Sequence, residues 1–140
     1  IPPPTTKKRY FISRENASFR RCINEKRLFE MAAAKGFEKL FNEGKSFKEQ
    51  IASYAAAEAI IGPHGAGFTN MIFSPEGTPI IEMFPQNRTQ AFYKTIAEQL
   101  NQPYIRLEGY IQRTFADKTP DFGDFEIDEA AFKAALDKVA

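Results

Sequence analysis

An α/β fold built on a mostly parallel sheet is what this sequence predicts, and three observations predict it. Short apolar runs at residues 9–12, 37–41, 59–61, 78–84 and 104–107 alternate with segments of helical periodicity, the pattern of strands joined by right-handed crossovers. Gly and Pro clusters punctuate the junctions, as at Gly62-Pro63 and after Phe84. Finally, Ile60-Ile61-Gly62-Pro63-His64-Gly65-Ala66-Gly67-Phe68-Thr69-Asn70 reads as a buried strand, a tight turn and the start of a helix. The expected architecture is a Rossmann-like three-layer sandwich of about five parallel strands in the order 2-1-3-4-5, with helices on both faces. In such a sheet the ligand crevice lies beyond the carboxyl ends of strands 1 and 3.

Residues 1–8, with three consecutive prolines, read as an extended lead-in or linker, and residues 9–140 as one domain. The first strand runs into a polar loop, residues 13–21, that carries Arg14, Arg20 and Arg21. Asn24 is placed to cap a helix with Leu28, Phe29, Ala32 and Ala33 on one face, and Gly36 ends it. Ser46 and Glu49 form a capping box for a second helix whose buried stripe is Phe47, Ile51, Tyr54 and Ala55. The glycine turn then opens a short helix through Phe68, Met71, Ile72 and Phe73. A helix over residues 90–100 turns Phe92, Ile96, Ala97 and Leu100 inward, and residues 108–127 read as irregular. Asp128 caps the last helix, with Phe132, Ala135, Leu136 and Val139 inward.

Composition removes several function classes. A formal net charge of +1 argues against an electrostatic nucleic-acid binder, so any anion selectivity is local. Cys22 is the single cysteine, which precludes an intrachain disulfide. No apolar run approaches the roughly 20 residues that span a bilayer. No Cys/His cluster suggests zinc, no Gly-x-Ser-x-Gly elbow suggests a serine hydrolase, and Asp121-Phe122-Gly123-Asp124 lacks the companions of a kinase site. Asn16-Ala17-Ser18 and Asn87-Arg88-Thr89 match the glycosylation acceptor pattern, which is too short to carry weight alone.

The chemistry concentrates in two loops. Gly65 and Gly67 lack a Cβ, so their backbone is free to adopt positive φ angles and to bring N–H groups close to a ligand. With Ala66, Thr69 and Asn70 they open a helix, where unpartnered N–H groups attract anions. Arg14 and Arg20 suit a diphosphate, which a guanidinium grips with two hydrogen bonds. His64 reads as a phosphate or sugar contact, or else as a general base. Glu82, polar within an apolar strand, is a candidate acceptor for ribose hydroxyls, and Glu25 serves either a sugar contact or the first turn of its helix.

Ser13-Arg14, Ala17, Arg20, Asn24-Glu25, Ser46-Phe47, Glu49-Gln50, the stretch from Gly62 to Asn70, and Ile81-Glu82, in that order, resemble glycosyltransferase family 61. The resemblance implies the donor-nucleotide half of an inverting, metal-independent enzyme of GT-B architecture, binding a UDP-sugar with no other cofactor. It further implies a glycan or glycoprotein acceptor held by a preceding N-terminal domain, so that the isolated domain is expected to be inactive, and a role in glycan or capsular polysaccharide synthesis. The setting would be cytoplasmic in a bacterium and the secretory-pathway lumen in a eukaryote. A non-catalytic nucleotide or sugar-nucleotide binding module, or a domain of this fold kept for protein contacts, remain the alternatives.

Overall fold

A computed structural model describes residues 6–86 and 92–140. Its elements are β1 (Lys8–Ile12), α1 (Glu25–Ala33), β2 (Phe37–Leu40), α2 (Phe47–Ala55), β3 (Ala57–Pro63) and a 3₁₀ helix (Ala66–Phe73). They continue with β4 (Ile80–Pro85), α3 (Phe92–Gln99), β5 (Tyr104–Arg113), a 3₁₀ turn (Pro120–Phe122), β6 (Asp124–Glu126) and α4 (Glu129–Val139). Among the described residues the sheet has six strands in the order β2-β1-β3-β4-β5-β6, the first five parallel and β6 antiparallel to β5.

Strand periodicity divides the core in two. Phe11, Ala59, Ile61, Ile81 and Met83 face Leu28 and Ala32 of α1 and Phe132, Ala135 and Leu136 of α4. Their neighbours in sequence, Tyr10, Ile12, Ile60 and Ile80, face Tyr54 of α2, Met71 of the 3₁₀ helix, and Tyr93 and Ala97 of α3. Both faces of the parallel strands are thereby covered, which is why β3 and β4 tolerate near-continuous apolar sequence. The predicted capping box forms, with the Glu49 N–H donating to Ser46 Oγ at 3.1 Å and the Ser46 N–H donating to Glu49 Oε1 at 3.2 Å. Asp128 caps α4 through the Ala131 N–H at 2.9 Å. Phe47 departs from the predicted stripe: it is exposed, with its ring edge-on to Phe73. Ala33 likewise faces outward on α1.

The expected strand count and order are corrected at the C-terminal end. The segment 108–127, read as irregular, extends β5 to Arg113 and supplies β6, whose Phe125 and Glu126 pair with Ile111 and Tyr110. Gly109 makes the approach possible, since a Cβ there would stand 2.6 Å from the Glu126 carbonyl oxygen. The sheet curls so that β6 also meets the loop after β1: the Phe125 N–H donates to the Arg21 carbonyl at 2.9 Å, and the Ile23 N–H donates to the Phe125 carbonyl at 2.7 Å. Asn24 precedes α1 as expected, yet its side chain makes no capping bond. It instead donates Nδ2–H to the Ile127 carbonyl at 2.8 Å and accepts the Ile127 N–H at 3.2 Å. The helix expected at 90–100 is α3, and residues 87–91, including the Asn87-Arg88-Thr89 pattern, lie outside the described residues.

This clamp generates a stability prediction. Asn24→Ala leaves the Ile127 amide and carbonyl without those partners, at a cost of about 1–3 kcal/mol. Urea unfolding should show a lowered midpoint; a midpoint equal to that of the wild type would mean that the clamp contributes nothing.

Candidate functional site

The loops after β1 and β3 meet at the carboxyl edge of the sheet, and a buried carboxylate shapes the first of them. Glu25, at the start of α1, accepts the Ser13 hydroxyl at 2.7 Å on Oε2 and the Arg14 backbone N–H at 3.0 Å on Oε1. Only 5% of Glu25 is exposed, so these donors replace water, and the helix N-terminus favours its charge. With its backbone fixed, Arg14 donates from Nη2 to the Phe19 carbonyl at 2.9 Å. Its guanidinium lies against Gly65: a Cβ at residue 65 would stand 2.5 Å from Arg14 Nη1 and 3.3 Å from Cδ. The absence of a Cβ at Gly65 thus gives the Arg14 side chain room to pack there. The expected positive φ does not occur there, because the residue is extended at φ 174°.

On the other side of the glycine turn, β3 ends at Pro63 and His64 follows, buried, with its backbone N–H donating to the Met83 carbonyl at 2.7 Å. His64 Nδ1 lies 2.7 Å from Glu82 Oε2. The other carboxylate oxygen accepts the Tyr104 hydroxyl at 2.5 Å. Burial, reinforced by Glu82, pushes the Tyr104 hydroxyl well above the usual tyrosine range, so it stays protonated and donates. The His64 ring stacks on Phe84 at 4.6 Å and leans on Tyr93 at 5.4 Å. Glu82 has no exposed surface, which places it behind His64 rather than at the ribose-contacting position expected from its sequence.

The structure sorts the remaining candidates. Arg20 adopts φ 54°, and its guanidinium lies 5.5 and 5.4 Å from the ring centroids of Phe19 and Phe122. Lys118 approaches the same two rings at 5.3 and 5.5 Å. Arg20 thus shares a cluster with the C-terminal excursion, while Arg14 is the arginine that touches the glycine turn. Asn70 donates to Gln50 Oε1 on α2 at 2.7 Å, tying the 3₁₀ helix to its neighbour. Ala66, Gly67 and Thr69 begin the expected short helix, which is 3₁₀, and their side-chain positions lie outside the described residues.

A cleft of about 310 Å³, lined by Glu15, Arg21, Cys22, Ile23, Glu25, Lys26 and Asp124, runs between the β1–α1 loop and β6. Cys22 is no nucleophile there, because burial and the Glu25 charge push its thiol up to about 12. Buried Asp124 holds Arg21, accepting its backbone N–H at 2.9 Å and its guanidinium at 3.3 Å. Among the described residues no group of three or more His, Cys, Asp or Glu could hold a metal ion, and no helix is long and apolar enough to cross a membrane. Sequence reasoning missed Ser13 and Tyr104 as site-shaping residues; Ser13 was discoverable as the first residue past a strand, whereas Tyr104 became visible only through its register beside β4.

Comparison with known proteins gives one family. The family model described as Glycosyltransferase 61 matches residues 1–81, which span β1 through the start of β4 and so both loops of the site. No curated protein matches the chain.

The Glu25 arrangement yields a second prediction. Ser13→Ala removes one of the two donors to a buried carboxylate and should cost about 1.5–3 kcal/mol. Chemical denaturation of the purified variant measures this; a loss below about 0.5 kcal/mol would show that water replaces the hydroxyl.

Proposed function

The chain belongs to glycosyltransferase family 61, and from that premise we propose that it binds the nucleotide-sugar donor, a UDP-sugar, of an inverting transfer to a glycan or glycoprotein hydroxyl. The observation that carries the proposal is the Arg14 guanidinium packed on Gly65, where the chain leaves β1 and β3. These neighbouring parallel strands are followed by crossovers to opposite faces, the switch point at which doubly wound, Rossmann-like sheets take their ligands. A diphosphate there meets a guanidinium and the first N–H groups of the helix that begins at Ala66. Arg20, on the same loop as Arg14, and Lys118, from the segment after β5, lie over the Phe19 and Phe122 rings nearby.

In this reading the leaving diphosphate is stabilised by Arg14, Arg20 and backbone amides, the basis for a metal-independent mechanism. His64 stands at the end of β3, within reach of the donor phosphates or the transferred sugar. The acceptor is bound by a further domain facing this one, as in two-domain GT-B enzymes, and capsular or other glycan synthesis is the setting. Glu82 is not needed as an acceptor for ribose hydroxyls in this reading, since its oxygens hold His64 and Tyr104.

Titration calorimetry with UDP tests the assignment. Losing a charge-assisted contact of about 1.5–3 kcal/mol should weaken binding by roughly one to two orders of magnitude in Arg14→Ala. Arg20→Ala should weaken it in the same direction, and Lys133→Ala, on the exposed side of α4, should not. Undiminished UDP binding by Arg14→Ala, or equal losses in all three variants, would overturn the site.

A further inference from the structure

We propose that Tyr104 and Glu82 act as positioning residues that hold His64 with its proton on Nδ1, so that Nε2 is the accepting nitrogen of the ring. The inference rests on the UDP-sugar reading for its purpose, but its geometry stands apart from it. Glu82 is fully buried in the middle of β4, opposite Arg106 of β5 in register. A carboxylate so enclosed is tolerated only when its oxygens accept hydrogen bonds. Tyr104 fills one oxygen at 2.5 Å and His64 Nδ1 the other at 2.7 Å. Opposite an ionised carboxylate, Nδ1 can only donate, which selects the tautomer.

The ring is also held in orientation. Phe84 lies parallel to one face at 4.6 Å, Tyr93 presses from α3 at 5.4 Å, and the His64 N–H is tied to the Met83 carbonyl. Arg106 closes the stack from behind, its guanidinium 3.7 Å from the Phe84 centroid and 3.1 Å from Glu108. Among the described residues, the charged and titratable groups on the elements packed around His64 include Glu82 on β4, Tyr104 and Arg106 on β5, with Glu108 paired to Arg106, Tyr93 on α3, and Arg14 across Gly65. By donating to Glu82, Tyr104 withdraws electron density from the carboxylate and sets how strongly it pulls on the imidazole proton.

His64 is the only histidine in the chain, so ¹⁵N-histidine labelling of the 140-residue protein gives a single imidazole to observe. Without ligand, the wild type should show the proton on Nδ1, and Glu82→Gln, whose amide can donate to Nδ1, should move the proton to Nε2. Tyr104→Phe should keep the tautomer but shift the Nδ1–H resonance downfield, because a carboxylate that has lost one donor pulls harder on the other. A wild-type proton on Nε2, or an Nδ1–H resonance unmoved by Tyr104→Phe, overturns the relay, and the phenylalanine variant decides the matter even if Glu82→Gln fails to fold. UDP added to the wild type should then shift the Nε2 signal. A UDP-bound chain with unchanged imidazole signals overturns the positioning role. Failure to bind UDP at all overturns the donor-site reading, while the ligand-free spectra still decide the relay.

Discussion

A carboxylate taken out of water costs several kcal/mol unless donors meet its oxygens, and that constraint organises the carboxyl edge of this sheet. Among the described residues Glu25, Glu82 and Asp124 are buried, and all three lie at or near that edge. Each gathers donors from a different part of the chain. Glu25 draws in Ser13 and Arg14, Glu82 draws in His64 and Tyr104, and Asp124 draws in Arg21. Where the chain leaves β1 and β3, these acids therefore hold Ser13, Arg14 and His64 in place. Truncating one donor would leave a charge poorly solvated, so the arrangement resists local change more strongly than loops usually do.

The C-terminal excursion adds a second tie of the same kind. Asp124 and Phe125 join the loop at residues 21–23, and Asn24 grips the Ile127 backbone, so segments about a hundred positions apart form one body. Its consequence is local to the site. Phe122 comes to lie beside Phe19, edge to face at 5.4 Å, and Arg20 and Lys118 settle on this aromatic pair. Both cations gain from the ring quadrupoles of this pair.

Much of this was legible from sequence because its causes are local. Short apolar runs located β1 to β4, Ser46-Phe47-Lys48-Glu49 spelled out its capping box, and the adjacency of the two chemically rich loops followed from the expected strand order. What escaped depends on distant partners. β6 has only three residues and exists because Gly109 lets its backbone approach β5, so no periodicity announces it. Asn24 bears the composition of a cap but finds a better pair of partners at Ile127. Gly65 looked like a residue needed for its dihedral freedom, yet it is extended, and the side chain of Arg14, from another strand's loop, packs where a Cβ would stand. Glu82 looked like a ligand contact because polarity in an apolar strand signals function, but sequence cannot show which way a carboxylate faces.

The choice of arginine at residue 14 follows from the same geometry. For the donor site proposed above, a net charge of +1 spread over the whole chain gives only weak long-range attraction for a diphosphate, screened within about 8–10 Å at physiological ionic strength. Selectivity must then come from a cation held at contact distance. A planar guanidinium can lie flat against the Gly65 backbone while donating to the Phe19 carbonyl. A lysine ammonium, compact and strongly hydrated, would retain the charge but lose both the flat packing and the fixed direction of its donors. Glu25 completes the logic: by accepting the Arg14 backbone N–H, it anchors the arginine through its main chain. The loop therefore keeps a positive group in place beside a buried negative one, and the position of that group is set by the backbone.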